Sequence, residues 1–184
     1  MSIFFLIKSD YKKYKSYGGS FFGIVFLTQG FWAAFQYRVA SGISKKISVP
    51  LFRVPLMGLL ILWQKCIEIL TGISIPASAR IGESFYIGHF GGIIIHPDAV
   101  IGSNCNISQG VTIGISGTND NRGVPVISDN VYFGANAVVV GKITIGNNVL
   151  IGANSLVKSS LPDHAVALGV PAEIISYGGS NSYL

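Results

Sequence analysis

Charge is scarce in this chain. Of its 184 residues only 11% are Asp, Glu, Lys or Arg, against 49% apolar ones, and that balance excludes the intrinsically disordered class. Cysteine is nearly absent. Cys66 and Cys105 offer neither a disulfide framework nor a CxxC or Cys/His metal spacing, which suits a reducing compartment and makes the cytoplasm the expected location. Long apolar runs are missing as well. The N-terminal "IFFLI" passes straight into "KSDYKKYK" and is too short for the core of a secretion signal. The segment "VPLMGLLILW", Val54 to Trp63, is flanked by Arg53 and Lys65 and is too short to span a bilayer. No transmembrane segment is expected.

The charge that is present is unevenly placed. Residues 1–72 hold nine basic side chains (Lys8, Lys12, Lys13, Lys15, Arg38, Lys45, Lys46, Arg53, Lys65) against Asp10 and Glu68, a net of +7, whereas the remainder holds four against six, a net of −2. Aromatic residues alternate with this basic part, as in "GFWAAFQYRV". Two readings stand: a helical pair packed on the main domain with its Lys and Arg stems snorkelling, or a peripheral contact with a membrane surface or an anionic carrier. Nucleic acid is not expected as a partner, because no recognition module accompanies the basic residues.

From Ile75 onward an apolar residue returns every six positions, as Ile75, Ile81, Ile87, Ile95, Ile101, Ile107, Ile113, Ile127, Phe133, Val139, Ile145, Ile151 and Val157. Glycine often follows it, at Gly82, Gly88, Gly102, Gly114, Gly134, Gly146 and Gly152, and the fifth position is small or apolar. A period of six fits neither a helix nor an alternating strand, so each block reads as one short strand and one turn, three to a coil. First-position side chains then stack inside a triangular prism, with Cys105 as a core filler, and the glycines supply the tight turns. The fold class is mainly β, a parallel β-helix preceded by an α-helical segment.

This pattern resembles the hexapeptide-repeat acyltransferases, which implies a left-handed coil and a homotrimer with active sites between subunits. "IGHFGGIIIHPDAVIG" and "LPDHAVALGVPAEII" are similar to the histidine coil and closing segment of the serine acetyltransferase branch. The short chain and the "NRGVPVI" loop look most like that branch's capsule and surface-polysaccharide enzymes. The expected organisation is a helical segment over 1–73, a β-helix over 74–158 with a loop at 115–125, and a closing segment and tail over 159–184.

Only two blocks exceed six residues, "IGHFGGII" and "IGISGTNDNRGVPV". Extra residues in a solenoid leave the wall as loops and commonly form the binding face. The first holds His89, whose imidazole can take a proton from an alcohol, and the resemblance places it on the family's catalytic base. His96 reads as a turn residue before Pro97, and His164 as a surface or packing residue. No metal site is expected, because the three histidines do not share neighbouring coils. The second interruption includes Asn121 and Arg122, candidates for contact with the acceptor.

Gly134, Ala135, Gly152 and Ala153 are small enough to let an extended pantetheine arm lie against the backbone, whose amide groups can bond it. By the resemblance Lys158 pairs with the phosphates of coenzyme A, and Gly114 is a candidate oxyanion donor. The same resemblance implies a carboxylate upstream of the histidine and an Arg-His pair in the loop. Those registers fall here on Ser74, Gly123 and Val124, which argues against serine as acceptor. The expected activity is therefore acetyl-CoA-dependent O-acetylation of a sugar hydroxyl on a capsular or surface polysaccharide or its precursor. The alternatives are a serine O-acetyltransferase of cysteine biosynthesis and a non-catalytic trimeric scaffold.

Overall fold

The computed structural model describes residues 1–45 and 50–184, with side chains from residue 54 onward in the second stretch. Lys46 and the side chain of Arg53, counted among the basic residues above, lie outside the described residues. Helices α1 (Ile3–Ser16), α2 (Gln29–Ser44) and α3 (Pro50–Thr71) come first, with a π-helical turn at Gly23–Leu27. Ser2 starts α1 by accepting the Phe5 N–H at 3.2 Å. α2 buries Phe31, Ala34, Tyr37, Arg38 and Ser41, whose three- and four-residue spacing puts them on one face. α3 corrects the expectation of a short apolar segment. It continues past Lys65, whose ammonium bonds Glu68 one turn on at 2.5 Å, and Val54–Thr71 is long and apolar enough to cross a membrane by length and composition.

From Ile73 the chain winds as a three-faced prism. The first face holds β1 (Ile73–Ser74), β4 (Ile93–Ile95), β7 (Thr112–Gly114), β10 (Val138–Val140) and β13 (Leu156–Val157). The second holds β2 (Arg80–Ile81), β5 (Val100–Ile101), β8 (Val126–Ile127) and β11 (Thr144–Ile145). The third holds β3 (Tyr86–Ile87), β6 (Asn106–Ile107), β9 (Tyr132–Phe133), β12 (Leu150–Ile151) and β14 (Val166–Gly169), on which β15 (Ala172–Ser176) folds back antiparallel. Every other pairing between these strands is parallel and in register, so that Ile81, Ile101, Ile127 and Ile145 form one inward stack. Ile87, Ile107, Phe133 and Ile151 form another. The fifth-position residues, from Ala79 and Phe85 to Val149 and Ser155, are buried beside them, apart from the partly buried Ile143. Cys105 is among them, and burial pushes its thiol up to about 12.

The turns differ from the expectation. The second-position glycines do not carry the left-handed residue of each turn. That conformation belongs to the fourth position, at Ser84, Asn104, Asn130, Asn136, Asn148 and Asn154, all with φ of 57–59°, which Asn tolerates better than most residues. The glycines answer a packing demand between coils. A Cβ on Gly82 would come within 2.6 Å of the Gly102 carbonyl carbon, and one on Gly134 within 2.5 Å of the Ala153 nitrogen.

A prism leaves unpaired backbone groups at its ends. At the first coil, side chains of α1 and α2 satisfy them. Tyr37 donates to Ala79 O at 2.8 Å and accepts from Ile81 N at 3.1 Å. Tyr14 does the same for the two groups of Ile87, at 3.2 and 3.0 Å. The Arg38 guanidinium donates to Ile81 O at 2.7 Å and Gly82 O at 2.5 Å, and Asp10 accepts the Phe85 N–H at 2.9 Å. Arg38 and Asp10 also pair with each other at 2.7 and 3.0 Å. Arg38 is thus buried inside the helical cap and unavailable to an external anion.

Candidate active site

The edge between the third and first faces carries the turns at 88–92, 108–111, 134–137 and 152–155. His89 is exposed at the first of them, on a bend after β3. The two extra residues of that block form Gly91 and Gly92, both at positive φ. Gly91 N donates to Thr71 O at 2.9 Å and Ile93 N to Gly72 O at 3.1 Å, so the bulge is anchored to the end of α3. Among the described residues no side-chain hydrogen bond holds the His89 ring.

His89 opens into a groove of about 790 Å³ that runs down this edge. Gly134, Ala135, Gly152 and Ala153 line the same groove, so five residues chosen from the sequence converge there. The backbone bonding refines the expected role of the four small residues. Gly134 N and Gly152 N are committed to Ile151 O and Ala167 O, at 2.8 and 2.9 Å, within the ladder between coils. The N–H groups of Ala135 and Ala153 have no partner among the described residues, so the alanines are the donors left for a ligand.

No motif marks the remaining walls. Ser108, Gln109 and Tyr132 reach the groove from successive coils, and Ser182 and Tyr183 reach it from the C-terminal tail. The tail lies across the third face. Ser180 N donates to Asn148 O at 3.0 Å, its hydroxyl donates to Asn130 O at 2.6 Å, and Asn106 Nδ2 donates to Tyr183 O at 3.0 Å. The Tyr132 and Tyr183 rings meet at 4.9 Å. A tail rich in Gly and Ser shows no periodicity from which this docking could be read.

The other expected site residues lie elsewhere in the chain. Gly114, Asn121, Arg122 and Lys158 cluster at the edge between the first and second faces, and the last three are exposed. Their loop is a tongue closed by Ser116 and Gly123, which exchange backbone hydrogen bonds at 3.1 and 3.0 Å. Within one chain they do not join the groove. His96 Nδ1 accepts the Asp98 N–H at 3.1 Å, and His164 is a turn residue at φ 63°. Among the described residues no cluster of three His, Cys, Asp or Glu could hold a metal ion.

Ser74 is not isolated from a carboxylate. Its hydroxyl donates to Glu68 Oε1 at 2.8 Å. Burial pushes the Glu68 carboxyl up, but hydrogen bonds from Lys65, Gln64 and Ser74 outweigh it and hold the group below its ordinary value. An ionised carboxylate therefore lies beside the register of Ser74, on α3, with no hydrogen bond to the His89 ring.

A family model described as bacterial transferase hexapeptide (six repeats) matches residues 125–159. A serine acetyltransferase from Synechococcus elongatus is 35% identical over 150 residues, 82% of this chain and 58% of that protein. One from Staphylococcus aureus strain Mu50 is 42% identical over 109 residues, 59% of this chain and 51% of that protein. The chain thus spans little more than half the length of these curated relatives. Among solved structures, a serine acetyltransferase in complex with cysteine superposes with a TM-score of 0.82 at 29% identity, over 95% of this chain and 70% of that one. A serine acetyltransferase in complex with CoA gives 0.78 at 28%, over 94% and 69%. The prism is accordingly a left-handed β-helix preceded by helices. These similarities overturn the expectation of a polysaccharide acceptor. That expectation rested on the short chain, the "NRGVPVI" loop and three registers, and at one of those registers Ser74 donates to the Glu68 carboxylate.

Proposed function

We propose that this chain, which belongs to the hexapeptide-repeat acyltransferases, transfers the acetyl group of acetyl-CoA to the side-chain hydroxyl of L-serine. The observation that carries the reading is the opening of His89 into one groove with Gly134, Ala135, Gly152 and Ala153. His89 takes the hydroxyl proton as the serine oxygen forms its bond to the thioester carbonyl carbon. The tetrahedral intermediate collapses with cleavage of the C–S bond, and the imidazolium returns its proton to the departing thiolate. Nothing is oxidised, and no covalent enzyme intermediate is needed, because both reactants meet in the groove.

The pantetheine arm lies along the edge against Ala135 and Ala153, whose free N–H groups bond its amide carbonyls. The second cluster, Gly114, Asn121, Arg122 and Lys158, completes the site from a neighbouring copy in a homotrimer. Lys158 meets the phosphates of coenzyme A there, and Asn121 and Arg122 meet the acceptor carboxylate. Thiol release from acetyl-CoA, followed by a chromogenic disulfide, tests the reading. L-serine supports turnover, and His89→Ala reduces it by a factor of 10² or more, on the order expected for loss of a general base, with the molecular mass unchanged. Absence of serine-dependent thiol release from the parent protein overturns the acceptor, and unchanged turnover in His89→Ala overturns the base.

A further inference from the structure

The helical cap has two sides. One is spent on the prism, as described. The other is apolar and open to solvent to an extent that no single-chain packing explains. On α3 the large apolar residues Val54 (72%), Leu59 (64%), Ile61 (58%), Leu62 (62%), Ile69 (84%) and Leu70 (67%) are exposed, with Lys65 the one exposed charge among the described side chains of the helix. The opposite side of α3 is also apolar. Leu60 is buried there, Trp63 meets the Phe35 ring at 6.2 Å, and Ile67 packs on the prism core. A helix that is apolar all round is covered on both sides in its working state.

A second apolar feature lies between the helices. Phe4, Phe21, Trp32, Phe35 and Trp63 line an apolar groove of about 620 Å³ between the helices, with Lys8 in its wall. Around it the exposed charge on α1 and the end of α2 is of one sign. Lys8, Lys12, Lys15 and Lys45 are exposed, whereas Lys13 is bound to Asn104 at 2.5 Å and Asp10, the one acid in residues 1–45, is buried against Arg38. Glu83, from the turn between β2 and β3, is the acid beside Lys8 and Lys12.

We infer that α3 and α1 dock this protein on a bilayer containing anionic phospholipid. Charge complementarity selects this occupant over a second copy of the chain. Two such faces brought together would oppose their lysines, whereas an anionic leaflet attracts them and offers acyl chains to Leu62, Ile69 and the aromatic groove. α3 lies along the interface and does not cross it, because Leu60, Trp63 and Ile67 hold its other side to the protein. The docking is independent of which acceptor the groove at His89 takes.

Sedimentation of the full chain with vesicles of phosphatidylcholine, alone or with roughly one-third phosphatidylglycerol, tests this. Binding is expected to the anionic vesicles only, and to fall as salt is raised from about 0.1 M to 1 M. Lys8→Gln/Lys12→Gln is expected to weaken it roughly 25-fold, at about fivefold per lysine. Leu62→Glu/Ile69→Glu is expected to abolish it, with the thermal midpoint of each variant recorded as the check on folding. Three results overturn the inference: a parent protein that stays in the supernatant, equal binding to neutral vesicles, or lysine variants that bind like the parent. So does a change of oligomeric mass in Leu62→Glu/Ile69→Glu when the parent ignores vesicles, which would make a second copy the cover.

Discussion

Arg38→Met is the sharpest test of how the helices hold the prism. The substitution keeps much of the apolar stem and removes the guanidinium that bridges Asp10, Ile81 O and Gly82 O. Arg38 is 2% exposed and Asp10 1%, so no water replaces the lost donors. The Asp10 carboxylate stays buried with only the Phe85 N–H for company. Breaking a buried pair from one side costs about 3–5 kcal/mol. For a chain of this size each kcal/mol lowers Tm by about 2–4 °C, which gives a loss of about 6–20 °C. Thermal unfolding followed by circular dichroism reads it, with Asp10→Asn/Arg38→Met as the companion variant. The double variant lacks the orphan charge and is expected to be more stable than the sum of the single losses by about 1 kcal/mol or more. Arg38→Met within about 2 °C of the parent, or strict additivity in the cycle, would refute the reasoning.

Four further outcomes follow from the same structure. Gly82→Ala forces a Cβ against the backbone of Gly102 at 2.6 Å and should cost about 1–3 kcal/mol in denaturant unfolding. Gly58→Ala in α3 meets nothing within 4 Å and should be neutral or stabilising by up to about 1 kcal/mol; equal effects at the two sites would contradict the packing account. In native protein a thiol reagent should modify exposed Cys66 quickly and buried Cys105 only on unfolding, so two fast thiols per chain would remove Cys105 from the core. Because the folded carboxyl of Glu68 is held below its unfolded value of 4.5, its contribution to stability is present above that pH and lost as pH falls through the lower folded value. Melting curves of Glu68→Gln and the parent should therefore converge in acid, and a gap that widens there would reverse the sign.

The prism was legible because a period of six has a single structural solution in which every first residue faces inward. Ile81, Ile101, Ile127 and Ile145 announce one another at a distance. His89 was legible for the complementary reason, as the residue at which that count breaks. The roles inside each turn were harder. Asn104, Asn130, Asn148 and Asn154 stand at the same place in their blocks, yet glycine beside them drew the conformational argument, because a clash with the next coil cannot be seen from one block alone. Asp10, Tyr14, Tyr37 and Arg38 could not be assigned at all. Their partners on the prism lie 42 to 75 residues away, and nothing local separates a buried arginine from a surface one. The apolar run of α3 reads as ending at Lys65, because an ammonium one turn from its own carboxylate looks like a boundary until the turn brings the two together.

The hydrogen-bonding cap at the first coil sets a limit on growth. Tyr14, Tyr37, Asp10 and Arg38 present to the open strands much of the donor and acceptor pattern that a preceding coil would offer. A second molecule therefore finds no template on that end, and end-to-end stacking of solenoids into a fibre is blocked there by side chains and not by charge repulsion. The groove at His89 and the tongue at Arg122 lie on the flanks of the prism, on different edges, away from that closed end.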